Sequence, residues 1–245
     1  MTRRSAQGSE TKLRIIRAAA DLFHKQGVHA TSPDAVIEAS NTGKGQFYHY
    51  FKNKEGLVHE VLQTHLEAIR NGTAPVNYEI KSWEDLERWF IANLELQKKF
   101  RMTRGCPFGV IGNEVTENDE LIRQDLSLIF EVVKNKLAAF FIKKKAAGEL
   151  FRTVDEYALA DFCIATVQGA MLMGKINRNS QLVEVTLGEA LKHVRHSADS
   201  AYLAESYPLA QSPALKKGAK RSVPSSRHKL ATPVRLSKDT FRPSS

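Results

Sequence analysis

Cysteine is scarce in this 245-residue chain. There are two, Cys106 and Cys163, too few and too widely spaced for a disulfide framework or a cysteine-ligated zinc site. Long apolar runs are missing as well. Hydrophobic residues make up 42% of the chain, enough for a packed core, yet no uninterrupted run reaches the roughly 18 residues of a membrane-spanning helix. The opening stretch, MTRRSAQGSETK, is polar and lacks the apolar segment of a secretory signal. These absences point to a reducing cytoplasm and no membrane partner. Strand-type alternation, a G-x-S-x-G elbow, metal-ligand spacing and paired carboxylates with a clear role are also lacking. The sequence therefore predicts an all-α protein with no metal, no cofactor and no catalytic residues. One phosphate-loop spacing, GAMLMGK at 169–175, has Ile176 where a Ser/Thr magnesium ligand must stand, and no strand precedes it.

The formal net charge is +9, but it is unevenly placed. From Ser206 onward there are 9 Lys/Arg against 1 Asp/Glu, whereas residues 72–205 hold 17 basic and 19 acidic groups. The high isoelectric point thus belongs mostly to the tail and does not imply a basic globular surface. Residues 207–245 also carry five of the eight prolines and seven serines, a composition that cannot bury enough surface to offset its ordering entropy. This tail is expected to be disordered, either as a solvated appendage or as a source of sequence-independent phosphate attraction.

Helical periodicity dominates the rest. The segment TKLRIIRAAADLFHKQG sets Leu13, Ile16, Ala19, Ala20 and Phe23 on one stripe and ends at Gly27, a C-cap residue. Thr31 or Ser32 can cap the next helix, with Pro33 in its first turn and Ala35, Val36 and Ala39 as its apolar face. Asn53 can cap a fourth, with Leu57, Val61 and Leu62 inward; residues 72–81 look like a linker, and five further helical stretches follow. Between the second and fourth helices lies TGKGQFYHYFKNKEGL, residues 42–57, which crowds aromatic rings beside lysines. On a helix starting near Gly43, Phe47, Tyr50 and Phe51 share one face through i, i+3, i+4 spacing. Gly45, His49 and Lys52 fall opposite, flanked by Tyr48. A turn joins this helix to the preceding one, which makes a helix-turn-helix whose second helix enters the DNA major groove. Lys44, Tyr48, His49, Lys52 and Lys54 can donate to phosphates, and Gln46 can reach a base edge. Gly45 has no side chain to hold a partner away, and Thr31, Ser32 and Thr42 complete the expected DNA-facing set.

Residues 11–60 or so resemble the TetR-type transcriptional repressors. The resemblance rests on Ser40, Asn41, Thr42, Gly43, Lys44, Gly45, Gln46, Phe47, Tyr48, His49, Tyr50 and Phe51, followed by Lys54, Glu55 and Leu57. Thr42 stands where that family usually has an apolar residue, which would loosen the turn. Gln46 replaces a small hydroxyl residue, which would change the bases read. The resemblance implies a homodimer on double-stranded operator DNA, with middle helices enclosing a small-ligand pocket and the last two long helices forming a four-helix bundle. Within residues 155–177, Leu159, Phe162, Ile164, Val167, Met171, Leu172 and Ile176 lie nearly all round the helix, so more than one side must be covered. Ala165, Gly169, Ala170 and Gly174 would let another helix approach closely. The expected division is a disordered arm over 1–10, a DNA-binding domain over 11–71, a ligand-binding and dimerisation domain over 72–206, and the tail over 207–245.

Cys106 follows Arg101 and Arg104 and precedes Pro107 at the start of a helix; nearby cations and a helix N-terminus both favour thiolate. The stretch from Gly105 resembles the electrophile-sensing, NemR-like branch of the family, which implies that Cys106 senses an electrophile or oxidant with help from Lys175. The other reading is a cysteine that fills space, as Cys163 does between Phe162 and Ile164. Two functions follow: a repressor released by a small ligand or by modification of Cys106, or a ligand- or redox-binding helical protein whose DNA-binding head is vestigial.

Overall fold

The computed structural model describes residues 3–197, with side chains from residue 8. They fall within one compact unit, and every regular element among them is an α-helix. In chain order these are α1 (Arg3–Gln26), α2 (Pro33–Ala39), α3 (Lys44–Tyr50), α4 (Lys54–Arg70), α5 (Trp83–Lys99), α6 (Pro107–Gly112), α7 (Glu120–Ala146), α8 (Glu156–Asn177) and α9 (Ser180–His196). The basic tail over 207–245 lies outside the described residues.

Caps fix most boundaries. The side chains of Ser32, Asn53, Ser82, Asp155 and Asn179 each accept from a backbone N–H in the first turn of the helix that follows, satisfying donors that have no partner within the helix. Gly27 ends α1 with φ 88°, a left-handed conformation that glycine adopts without steric cost.

In the head, α1 packs against α2, α3 and α4. Its core is Ile15, Ile16, Ala19 and Phe23 with Val36, Ile37, Phe47, Phe51, Leu57, Val61 and Leu62. Two face assignments change. Leu13 is 41% exposed and Ile15 takes its place; in α2, Ile37 is buried rather than Ala39. The N-terminal arm also differs, for α1 runs back to Arg3. The Tyr50 hydroxyl donates to the Gly8 carbonyl at 3.0 Å, which ties the early part of the helix to α3.

Below the head, α4 packs on α7, α1 on α6, and α7, α8 and α9 pack in succession, with α5 against α8 and α9. Residues 72–81 are no free linker, because Val76 and Ile80 are buried in the core. Among the described residues, α8 alone is long and apolar enough by composition to cross a membrane; here it packs between α7 and α9.

Candidate functional site

The turn between α2 and α3 is built by Asn41, Thr42 and Gly43. Asn41 takes φ 49°, a left-handed conformation that asparagine tolerates better than most residues. Thr42 tightens the turn instead of loosening it: its N–H donates to the Ile37 carbonyl at 3.1 Å, and its hydroxyl shares a 2.8 Å hydrogen bond with Ser40. Phe47 and Phe51 then sink into the core while Lys44, Gly45, Gln46, Tyr48, His49 and Lys52 stay exposed. Tyr48 is 52% exposed although it is a large ring packed edge-on against Phe47. A Cβ placed on Gly45 would meet nothing in the protein within 4 Å, so the backbone there lies open to an approaching surface.

Three of the expected DNA-facing residues do internal work. Thr31 is 0% exposed, and its hydroxyl donates to the Gly27 carbonyl at 2.7 Å, closing the α1–α2 turn. Lys54 folds back on the same turn, its ammonium donating to the Val28 carbonyl at 3.1 Å and reaching those of His29 and Thr31. Its charge therefore satisfies a ring of carbonyls instead of facing a phosphate. The Ser32 hydroxyl accepts from Ala35 N–H at 3.1 Å as the cap of α2. Lys44 is exposed but pairs with Asp34 at 3.0 Å, and this carboxylate raises its pKa. The Gln46 carbonyl oxygen accepts from Gly43 N–H at 3.2 Å, leaving its amide nitrogen directed elsewhere.

A second feature lies beneath the head. A cavity of about 320 Å³ opens between α1, α4, α5, α6 and the 72–81 segment, lined by Ala20, Asp21, His24, His65, Ile69, Val76, Tyr78, Leu96, Phe100, Arg104, Cys106, Phe108 and Met171 among others. Gly105 shapes its wall with φ 105°. Buried Gln97 grips Gly105 on both sides, its amide donating to the carbonyl at 2.8 Å and its oxygen accepting from N–H at 2.9 Å. His24 Nε2–H donates to the same carbonyl at 2.8 Å, so this ring is held as the tautomer that carries the proton there. At the rim Arg104 pairs with Asp21 and stacks on Phe100 at 4.2 Å.

The surroundings of Cys106 differ from those its sequence neighbours imply. Cys106 lines the cavity, but burial pushes its thiol pKa up, only partly offset by hydrogen bonds from the Gly109 and Phe108 backbones and the Gln168 side chain. The thiol form is therefore favoured, because desolvation outweighs those hydrogen bonds. Lys175 lies close to the neighbouring residue: its Cδ is 3.6 Å from where a Cβ on Gly105 would be, and its charge bears on His24. Cys163 is fully buried, with its pKa raised by burial to about 12. Burial likewise lowers the pKa values of His24 and His65. His24, His65, Tyr78 and Trp89 carried no signal in the sequence, since each sits among ordinary helical or linker residues and only packing brings them together.

Residues 15–61 match the model for bacterial regulatory proteins of the tetR family, and residues 84–199 match the tetracyclin repressor-like C-terminal domain. The HTH-type transcriptional repressor DhaR of a Mycobacterium species is 25% identical over 169 residues, covering 68% of this chain and 83% of DhaR. A regulatory protein TetR from Rhodobacter sphaeroides superposes with a TM-score of 0.65 at 23% identity, over 74% of this chain and 97% of that one. Escherichia coli NemR in its reduced form gives 0.59 at 20% identity, over 74% and 95%. Both structures are likenesses of fold alone. With its head and its body each matched by a model of the same family, the chain belongs to the TetR family of transcriptional regulators.

Proposed function

We propose that this regulator is a homodimeric, cytoplasmic repressor that holds operator DNA through α3 and lets go when a small molecule occupies the cavity under the head. The observation that carries this is the division of α3: its Phe47 face is in the core while Lys44, Gly45, Gln46, Tyr48, His49 and Lys52 are exposed together. Phosphate contacts from Lys44, Tyr48, His49 and Lys52 would position the helix, and a Gln46 turned away from Gly43 would read a base edge.

Release is a population shift. A ligand acts only through its different affinities for two arrangements of the heads. The cavity suits this role because α1 and α4 serve both parts: Ala20, Asp21, His24, His65 and Ile69 line it, while Ile15, Phe23, Leu57 and Leu62 on the same two helices hold the head core. Two heads must meet successive major grooves about 34–36 Å apart, so a small displacement of α1 or α4 spoils the fit. A second copy would bury Phe162, Leu172, Met173 and Ile176 of α8 and Val185 of α9, which are exposed in one chain. Ala165 and Gly169 on the same stripe are exposed too and permit close helix contact. Modification of Cys106 by an electrophile or oxidant would act through the same cavity, but its raised pKa makes a reversible ligand the favoured trigger.

Footprinting on the DNA flanking the gene tests this. A protected inverted repeat that Tyr48→Ala abolishes is expected; undiminished protection by Tyr48→Ala would remove α3 from the contact, and the absence of any site protected by wild type in a genome-wide selection would favour the vestigial-head alternative. Treating wild type and Cys106→Ser with a quinone separates the triggers: equal release by both removes Cys106 from the mechanism.

A further inference from the structure

Beside the cavity lies a recess of about 30 Å³, and Tyr78, Asn93, Cys106 and Phe108 line both spaces. The recess also touches Trp89 and Gln168. Trp89 is only 4% exposed, and its Nε1–H finds no acceptor among the described residues. An indole N–H is a donor only, and buried donors of this kind are normally paired. The other tryptophan follows that rule, since Trp83 Nε1–H donates to Glu149 at 2.8 Å.

Tyr78 lines the same recess. The Tyr78 hydroxyl has no hydrogen-bond partner among the described residues, and burial raises its pKa, so it keeps its proton. Gln168 donates a side-chain N–H to the sulfur, and Asn93 Nδ2–H donates to the Trp89 carbonyl at 2.8 Å, so both amides are already engaged. No Lys or Arg lines the recess; in the outer cavity Arg104 is held by Asp21 and Phe100, and Lys99 is exposed to solvent. Donors without a cation inside the recess suit an uncharged acceptor there. The volume holds about one oxygen atom or one water.

We propose that the recess is the polar end of the effector site and that the effector is a neutral carbonyl compound. Its oxygen accepts from Trp89 Nε1–H and Tyr78 O–H, and its apolar body lies in the outer cavity among Ile69, Val76, Leu96, Phe100 and Met171. This rests on the cavity being the effector site, and it adds the chemical class of the ligand. Binding is reversible and needs no bond to Cys106.

The test uses full-length protein labelled with 15N at the indoles, whose two N–H resonances are told apart with Trp83→Phe. Acetophenone, its alkene isostere α-methylstyrene, and benzoate are titrated in turn. Acetophenone is expected to saturate, to move the Trp89 resonance downfield and to leave that of Trp83 in place. The alkene is expected to bind about tenfold more weakly, as the loss of one buried hydrogen bond implies. Tyr78→Phe, which keeps the ring and the fold, is expected to narrow the gap between ketone and alkene. Equal binding of ketone and alkene with an unmoved Trp89 resonance would assign the recess to a water and overturn the proposal. Tighter binding of benzoate would overturn its neutral character, and failure of all three to bind would overturn the site. None of these outcomes touches the repressor reading, which stands or falls on the operator footprint of Tyr48→Ala.

Discussion

Gly45 separates what the fold requires from what DNA requires. A side chain there meets no protein atom, and alanine favours a helix over glycine by up to about 1 kcal/mol. Gly45→Ala should therefore raise the urea midpoint slightly while weakening operator binding, because the added methyl would stand on the surface proposed to face DNA. Lys44 tests the phosphate contacts. Lys44→Ala should lower affinity evenly across operator variants and reduce the slope of log K against log salt by about one unit. Gly27 is the opposite kind of glycine. Its φ is 88° and Glu114 Oε1 lies 1.9 Å from where a Cβ would be. Gly27→Ala should cost at least about 1 kcal/mol in urea denaturation. At this scale the sequence disclosed the α3 stripe and the Gly27 cap, since both follow from local periodicity and turn chemistry. It misplaced Thr31 and Lys54, whose partners are carbonyls that only the closed α1–α2 turn brings within reach.

Among the elements, α4 joins the head to the body. Asp125 of α7 is buried and accepts from His59 Nδ1–H and Gln63 Nε2–H of α4, both at 2.7 Å. On the other side His29 in the α1–α2 turn donates its backbone N–H and its ring Nδ1–H to Glu114 after α6, at 2.8 and 3.0 Å. These two latches fix the head at two points, one per helix that also lines the cavity. Asp125→Ala leaves two donors short of an acceptor and should cost about 1–3 kcal/mol, read as a lower urea midpoint with an unchanged helical circular-dichroism spectrum. The helices themselves were legible, from α5 to α8 within a few residues and α9 at its start, because each carries its own periodicity and most carry a cap. Residues 72–81 were not: their proline and glycine suggest a linker, and only packing shows that Val76 and Ile80 belong to the core.

At the scale of the whole molecule, the exposed α8 stripe predicts assembly. Ile176 is 64% exposed, so Ile176→Glu should leave the single chain folded while shifting sedimentation toward monomer and abolishing footprint protection. Acidification should weaken the fold. Burial, the largest influence on both His24 and His65, lowers their pKa values below the ordinary 6.5; for His24 the Gly105 hydrogen bond opposes this and Arg104 adds to it. The unfolded chain then binds more protons than the native one once pH falls below about 6.5, so stability is full above that pH and declines beneath it. Thermal midpoints measured from pH 7.5 to 5 should fall, and fall less steeply in a His65→Phe variant.

The sequence by itself determined the all-helical body, the helix-turn-helix and the outward set on α3, because these depend on neighbours within a turn or two along the chain. Only the tertiary structure decided that Cys106 is a buried thiol, that Lys175 lies by Gly105, and that a recess is lined by a tryptophan with an unpaired N–H. His24 meets Gly105 across 81 positions of sequence, and Tyr78 from the 72–81 segment and Trp89 of α5 line one recess with Cys106. Solvent exclusion and donor–acceptor balance arise from such meetings, and no local pattern encodes them.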